Sequence, residues 1–223
     1  MADDKGHKHV ANGGCRDINI AVLGAKGVGK SAMIVRFLTG RFIGDYDSQM
    51  EAIFSTSTTV DGKHCTVHIM DTATHLSGQE FKEDPVTWAD GFLLVFSLTD
   101  VKSYRAVQDL VETLRRARED VRTPILVAAN KSDLVHLRAV SLPDTEASCQ
   151  DQGCLFAEVS ASEDPDSVQS AFTTLCRTVR AVNKKREKLS WTLQRPAVAA
   201  KLQIRQSLRN LAEKKWRSRT STF

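Results

Sequence analysis

Short apolar segments alternate with amphipathic segments of helical length from Asp17 onward. The apolar segments are continuous, as in strands buried on both faces of a sheet, whereas the longer segments repeat their apolar positions with helical periodicity. This alternation is typical of an α/β fold in which helices cover both faces of a mostly parallel sheet. We predict six strands, at residues 19–24, 53–60, 65–70, 92–96, 125–129 and 154–159, and helices at residues 30–38, 101–119, 144–150 and 164–182.

Two of the predicted strands form a hairpin. Asp61 and Gly62 lie between the segments 53–60 and 65–70. An Asp-Gly pair is a strong signal for a tight turn between antiparallel strands. We therefore expect these two strands to pair antiparallel within an otherwise parallel sheet.

The composition is that of a globular protein with an extension. The chain has 223 residues, of which 41% are hydrophobic and 26% are charged. Its longest apolar runs span about five residues, whereas a membrane-spanning helix needs about 18 or more. No apolar stretch follows the charges at the start of the sequence, which argues against a secretory signal. The 5 cysteines include no C-x-x-C pair, so a reducing compartment is expected rather than a disulfide or zinc framework.

Charge is distributed unevenly along the chain. Of the 31 Lys or Arg and 27 Asp or Glu, 14 and 2 lie in residues 177–223, which leaves a net charge of +12 there and −8 in the remainder. The C-terminal segment is therefore a separate electrostatic unit. We expect a disordered N-terminal extension over residues 1–16, one domain over residues 17–183, and a basic tail with a partial helix over residues 184–223.

A glycine-rich motif links the first predicted strand to the first predicted helix. It fits the pattern G-x-x-x-x-G-K-[ST] and consists of Gly24, Ala25, Lys26, Gly27, Val28, Gly29, Lys30 and Ser31. In such a phosphate-binding loop, or P-loop, backbone N–H groups and the helix N-terminus hold the α- and β-phosphates of a nucleotide. Lys30 then reaches the β- and γ-phosphates, and the Ser31 hydroxyl ligates Mg²⁺.

A second motif, N-K-x-D at residues 130–133, directly follows the strand predicted at residues 125–129. It therefore lies at the carboxyl edge of the sheet, where open α/β folds bind their ligands. The Asp133 carboxylate can accept hydrogen bonds from both N1–H and the amino group of guanine. Adenine offers no such pair of donors, so Asp133 would select guanine.

These motifs resemble those of the Ras-like small GTPases over residues 17–183, and from the P-loop to Asn130 they occur at the family's spacing. The resemblance implies a P-loop small-GTPase fold with a six-stranded sheet, binding of GTP and GDP with Mg²⁺, and GTP hydrolysis. It places Asp71 near the magnesium through a water molecule. Besides the P-loop, the residues it implies at the nucleotide are Ala32, Phe42, Asn130, Lys131, Asp133, Leu134, Ser160 and Ala161. The basic tail has no prenylation cysteine, which makes the chain most similar to the unprenylated, Rerg-like branch.

The chain departs from the family pattern where the γ-phosphate would lie. Lys26 replaces a P-loop glycine, and its bulk would obstruct the space that an arginine finger needs. Gln49 replaces the threonine of the first switch segment. An amide carbonyl can ligate Mg²⁺, but the longer side chain cannot reproduce the same backbone closure.

Two further departures follow Asp71 in the second switch segment. Thr74 replaces a glycine, and His75 replaces the glutamine that positions the attacking water. A histidine orients water only in the right tautomer, so His75 is a weak candidate for a catalytic residue. Gln79 does not substitute for the missing glutamine, because the spacing from Asp71 to Gly91 matches the family and leaves no room for an insertion.

Three functions remain compatible with these substitutions. The leading hypothesis is a GTPase that retains nucleotide binding and hydrolyses GTP slowly. A second is a pseudo-GTPase that acts as a scaffold independently of nucleotide. In a third, the Lys26 ammonium lies along the phosphates and supplies part of the charge that hydrolysis requires.

The basic tail also has several interpretations. It is a solvated extension, a surface for anionic lipid, a calmodulin-binding helix or a signal for import. Lipid contact would gain about 1 kcal/mol per basic residue, whereas Pro196 disfavours helix capture. Nucleic-acid binding is not expected, because the charges lack an aromatic stacking platform. We expect a cytoplasmic monomer that reversibly contacts the inner face of the plasma membrane and has effector and regulator proteins as partners.

Overall fold

The structure is a computed structural model and describes residues 16–42, 52–72, 84–118 and 123–189. The chain divides into two compact units, Met1–Arg180 and Ala181–Phe223. The elements of the first unit are β1 (Ile18–Leu23), α1 (Lys30–Thr39), β2 (Ala52–Val60), β3 (Lys63–Asp71), α2 (Pro85–Trp88), β4 (Gly91–Ser97), α3 (Val101–Ala117), β5 (Ile125–Asn130), a 3-10 helix (Val135–Leu137), α4 (Leu142–Asp151), β6 (Leu155–Glu158) and α5 (residues 165–180). In the second unit, residues 181–189 are helical. No helix in the described ranges is both long and apolar enough to cross a membrane.

The six strands form one sheet in the order β2-β3-β1-β4-β5-β6. β2 and β3 pair antiparallel, and every other neighbouring pair is parallel. The hairpin turn has positive φ angles at both central residues, 49° at Asp61 and 71° at Gly62, as a type I′ turn requires. The predicted α/β fold and the antiparallel hairpin are confirmed.

Helices cover both faces of the sheet, and β4 shows why its sequence is continuously apolar. All of its residues are buried. Leu93 and Val95 point into a core shared with α1 and α5, whereas Phe92, Leu94 and Phe96 point into a core shared with α3 and α4. Because side chains alternate across a strand, a strand with a core on each side needs apolar residues at every position.

The structure differs from the sequence prediction mainly at short elements and at element ends. The prediction missed α2, which has only four residues and therefore shows no helical periodicity. α2 begins because the Asp84 side chain accepts a hydrogen bond from the Val86 N–H at 2.9 Å and Pro85 occupies the first helical position. The helical state also continues past residue 182 to residue 189. No glycine or proline interrupts this segment, so nothing in the sequence ends the helix there.

Candidate functional site

The candidate site lies where loops leave the carboxyl ends of parallel strands. The P-loop follows β1, Asp71 ends β3, the N-K-x-D motif begins at the end of β5, and Ser160 follows β6. These strands belong to one sheet and run parallel to one another. The topology therefore brings segments that are far apart in sequence to one edge of the sheet, as in other open α/β folds.

Two P-loop positions require glycine for space as well as for backbone conformation. At Gly24, where φ is 147°, an added Cβ would lie 2.1 Å from the Val95 carbonyl oxygen. At Gly29, where φ is 98°, it would lie 2.3 Å from the Asn130 Nδ2 atom. These distances are far below contact distance, so the loop can follow this path only with glycine at both positions.

Lys30 begins α1 and lies across the P-loop. Its Nζ donates hydrogen bonds to the carbonyl oxygens of Gly24 at 2.9 Å and Ala25 at 3.0 Å. The side chain is 6% exposed. Burial lowers the pKa of Lys30, and the nearby Asp71 carboxylate opposes that shift. The ammonium group is therefore held at the loop by polar contacts rather than extended into solvent.

The chemistry of Asp71 and Ser31 fits a magnesium ion. The Ser31 hydroxyl donates a short hydrogen bond to Asp71 Oδ2. The other carboxylate oxygen, Oδ1, is buried and has no hydrogen-bond partner among the described residues. Burial raises the pKa of Asp71, while the Ser31 hydroxyl and the Lys30 ammonium lower it. A carboxylate and a hydroxyl are hard oxygen ligands of the kind Mg²⁺ prefers, and a cation here would compensate the buried charge.

Asn130 joins three of the loops at the site. Its Nδ2 donates to the Val28 carbonyl oxygen in the P-loop at 2.8 Å. Its Oδ1 accepts from the backbone N–H of Ala161 at 3.1 Å. The neighbouring Lys131 donates from Nζ to the Gly27 carbonyl oxygen at 2.8 Å. The N-K-x-D motif therefore connects the P-loop to the loop after β6.

The Asp133 side chain is held by the loop after β6. The hydroxyl of Ser160 donates to Asp133 Oδ1 at 2.6 Å and accepts from the Glu163 backbone N–H at 3.0 Å. Ser160 is buried, whereas Asp133 is exposed. The carboxylate is thus oriented by a buried partner while it stays accessible to a ligand.

Some of the remaining predicted site residues lie in the part of the chain that the structure describes, and others do not. Phe42 is 46% exposed and Leu134 is 39% exposed, and both are large apolar side chains that a planar base could cover. Lys26 is exposed in the P-loop. The predictions for Gln49, Thr74 and His75 lie outside the described residues.

Two residues that the sequence prediction left without a role support the site. The hydroxyl of Thr72 donates to the Val22 carbonyl oxygen at 2.6 Å and so ties the end of β3, with Asp71, to β1. The Arg36 guanidinium on α1 contacts the loop after β6. Thr72 follows directly after Asp71, so its position along the chain was a usable signal. Arg36 carried no such signal, because its contact depends on the tertiary fold.

The sheet, the P-loop with its buried lysine, and the oriented Asp133 define the class as a P-loop nucleotide-binding α/β protein. Comparison with known proteins narrows the class, because the model of the Ras family matches residues 19–181. The chain belongs to the Ras family of small GTPases. It is a GTP-binding signalling protein of the GTPase type.

The proteins that this chain is similar to include members 11A and 11B of the Ras-like protein family. The chain is 38% identical over 218 residues to "Ras-like protein family member 11A-like" of Danio rerio, which covers 92% of this chain and 86% of that protein. It is 40% identical over 176 residues to "Ras-like protein family member 11A" of Mus musculus, covering 76% of this chain and 73% of the relative. It is 38% identical over 176 residues to "Ras-like protein family member 11B" of Homo sapiens, covering 76% and 71%. The similarity to the Rerg-like branch stays a prediction.

Proposed function

We propose that this Ras-family protein holds GTP or GDP with Mg²⁺ tightly and hydrolyses GTP slowly. Apart from Lys26, each described residue that the family resemblance assigns to the phosphates or the base is chemically suited to bind them. The substitutions occur at positions assigned to the γ-phosphate: Lys26, Gln49, Thr74 and His75. This contrast supports retained binding together with weakened catalysis.

In this proposal the P-loop and Lys30 hold the phosphates, and Ser31 with Asp71 holds the magnesium. The metal, when bound, neutralises charge on the β- and γ-phosphates. Lys30 exchanges the Gly24 and Ala25 carbonyl oxygens for phosphate oxygens, which its ammonium binds more strongly because they are charged. Asp133, oriented by Ser160, accepts the two guanine donors and excludes adenine.

Hydrolysis is slow in this proposal because the site lacks three features that stabilise the transition state. An arginine finger contributes about 10³ to 10⁵ in rate to GTPases of this type, and Lys26 would occupy the space that it enters. His75 replaces the glutamine that orients the attacking water, and Gln49 alters the closure of the first switch segment. Binding of nucleotide in the ground state does not depend on the arginine finger or on the attacking water, so it survives their loss.

The nucleotide carried by freshly purified protein tests this proposal. The full-length protein, prepared with Mg²⁺, is denatured and the released nucleotide is identified by chromatography. We expect stoichiometric guanine nucleotide, and GTP as the species would directly indicate slow hydrolysis. If GDP is released, a single-turnover assay with preloaded GTP decides: turnover as fast as the unassisted rate of Ras, about 3–5 × 10⁻⁴ s⁻¹, contradicts slow hydrolysis.

A pseudo-GTPase scaffold is the second candidate, and the same four substitutions favour it. In a scaffold, a partner protein binds equally whether the site holds GDP or a non-hydrolysable GTP analogue. Partner capture with both loaded forms separates the two functions. A clear preference for one form supports a switch, whereas equal capture, or purified protein without any nucleotide, supports the scaffold.

We also propose that the basic C-terminal segment contacts anionic membrane reversibly and that the protein is a cytoplasmic monomer. Lys184, Lys185 and Lys188 are exposed on the helical residues 181–189, and further basic residues follow in sequence. Electrostatic binding of this kind weakens as salt screens the charges. Cosedimentation with phosphatidylserine vesicles should therefore fall between low and high salt, and equal binding at both would contradict it.

A further inference from the structure

The Arg36 guanidinium connects two segments on the base side of the site. Its Nη2 donates to the Ser162 carbonyl oxygen at 2.5 Å, across 126 positions of sequence. Its Nη1 donates to the Gly40 carbonyl oxygen at 3.2 Å. One side chain thus holds the loop after β6 and the C-terminal end of α1 at the same time.

The segment around Ser162 determines where the Asp133 carboxylate lies. Ser162 Oγ and Ser160 Oγ are 3.1 Å apart and hydrogen-bonded, and Ser160 in turn donates to Asp133. The Ala161 N–H between them bonds to Asn130. A carbonyl fixed at Ser162 therefore limits the movement of each group that orients the base-binding residues.

The second group that Arg36 contacts, the Gly40 carbonyl oxygen, lies just before Phe42. Gly40 caps the C-terminal end of α1 with a φ of 69°, and its N–H donates to the Arg36 carbonyl oxygen at 2.8 Å. Phe42 follows two residues later and is 46% exposed. A further anchor holds this part of α1 to α5, because the rings of Phe37 and Phe172 stack with centroids 4.3 Å apart.

The chemistry of the contact requires arginine. A planar guanidinium presents several N–H groups in a fixed arrangement and can donate to two carbonyl oxygens at once, whereas a lysine ammonium acts as a point charge on a flexible stem. The Arg36 Nε is buried and has no hydrogen-bond partner within the described ranges. The side chain is thus held inward at a cost in solvation, rather than extended into water.

We propose that Arg36 is a positioning residue for the guanine base. It keeps the segment of Ser160 and Ala161 at a fixed distance from the segment that leads to Phe42, and thereby lengthens the residence of the nucleotide and sharpens the preference for guanine. The inference rests on the proposed function, that the site holds guanine nucleotide. Arg36 touches neither base nor phosphate in this role and acts through the loop after β6.

Arg115 provides a matched control at the opposite edge of the sheet. Its guanidinium also donates to backbone carbonyl oxygens, those of Thr123 at 2.9 Å, Gly153 at 3.1 Å and Gln152 at 3.5 Å. These residues precede β5 and β6 at the amino ends of the strands, whereas the site lies at the carboxyl ends. A substitution of Arg115 therefore removes the same kind of contact without reaching the base side.

The test measures release of a fluorescent GDP analogue from the full-length protein and its Arg36→Met, Arg36→Lys and Arg115→Met variants. Loss of two charge-assisted hydrogen bonds, partly replaced by water, should raise the release rate of Arg36→Met about tenfold. Arg36→Lys should be intermediate, and Arg115→Met should match the wild type. Competition with GDP and ADP should show that Arg36→Met loses more affinity for GDP than for ADP, because ADP can contact Phe42 but does not use Asp133.

Each outcome decides between the two proposals. Wild-type protein that binds no GDP contradicts the proposed function. If the wild type binds and both Arg36 variants release GDP at its rate, the positioning role is wrong. Equal losses for GDP and ADP, or an equal effect of Arg115→Met, indicate general destabilisation and also overturn it. If Arg36→Met does not fold, Arg36→Lys decides alone. Faster release of GDP together with faster hydrogen exchange confined to residues 159–164 supports the positioning role. Exchange and release at the wild-type rates refute it.

Discussion

The proposed function divides the site into a base side, whose residues the structure describes, and a γ-phosphate side, of which it describes Lys26. On the base side, Asn130 bonds to Val28 in the P-loop, and Asp133 bonds to Ser160 in the loop after β6. On the γ-phosphate side, Lys26 is exposed, and our proposal assigns the substitutions Gln49, Thr74 and His75 to the same side. The comparison teaches that holding a nucleotide and hydrolysing it use separate sets of contacts, since only the second set must favour the transition state.

Hydrogen bonding between loops explains why the base side tolerates little change. Replacing Asn130 would leave the buried carbonyl of Val28 and the N–H of Ala161 without partners, and each unsatisfied buried group costs about 1 to 3 kcal/mol. An exposed side chain such as Lys26 carries no such penalty, because water solvates it in either state. Substitution of Lys26 is therefore less costly to folding than substitution of Asn130.

The largest expected effect tests the base side directly. Asp133→Asn removes an acceptor for the guanine donors, and we expect GDP affinity to fall by about 10³ or more while xanthosine diphosphate gains affinity. Isothermal titration with both nucleotides measures this. Asp109→Asn, an exposed carboxylate on α3, is the control and should bind GDP like the wild type. Unchanged GDP affinity in Asp133→Asn would remove base recognition from the proposal.

In the proposed function Mg²⁺ is held by Ser31 and Asp71, and its removal should have the next largest effect. Chelation of Mg²⁺ by EDTA should speed GDP release about 10- to 100-fold, because charge-assisted contacts of the metal are lost. Ser31→Ala should release GDP faster even with Mg²⁺ present, and EDTA should then add little. Release rates of a fluorescent GDP analogue measure both effects. If EDTA does not change the rate at which the wild type releases GDP, the assignment of Ser31 and Asp71 to the metal is wrong.

Lys26 tests the γ-phosphate side. Under the proposed function, Lys26→Gly removes bulk and should leave single-turnover hydrolysis unchanged or speed it by up to about tenfold, with GDP affinity unaltered. If Lys26 instead supplies charge to the transition state, Lys26→Gly and Lys26→Met should both slow hydrolysis, by about 10². Lys26→Met keeps the bulk and removes the charge, so it separates the two explanations.

The smallest effect is expected from the C-terminal segment. Deletion of residues 190–223 should leave the GDP release rate unchanged, because both sides of the site are built from residues of the first unit. The same deletion should reduce binding to phosphatidylserine vesicles at low salt. Release rates and cosedimentation measure the two outcomes. A truncated protein that unfolds or loses GDP would show that the tail supports the domain.

The sequence alone determined the sheet, the hairpin and the P-loop, because each is encoded locally. Continuous apolar segments predict buried strands by their composition. Asp61-Gly62 predicts a tight turn because both residues tolerate a positive φ. The P-loop lies within eight consecutive residues, 24–31, so its glycines and Lys30 are recognisable without any distant contact. Asp133 was predicted as a site residue because its motif follows a strand end, and the strand end has a known position in the fold.

Tertiary structure alone decided which distant groups meet. The bonds from Ser160 to Asp133 and from Asn130 to Val28 join loops that are 27 and 102 residues apart, and the contact of Arg36 with Ser162 spans 126. Periodicity and local motifs carry no information about such pairs, because they depend on strand order and on the burial of each group. An arginine on an amphipathic helix is by pattern a solvated surface residue. Only the packed fold shows that this one contacts two backbone carbonyl oxygens, those of Gly40 and Ser162.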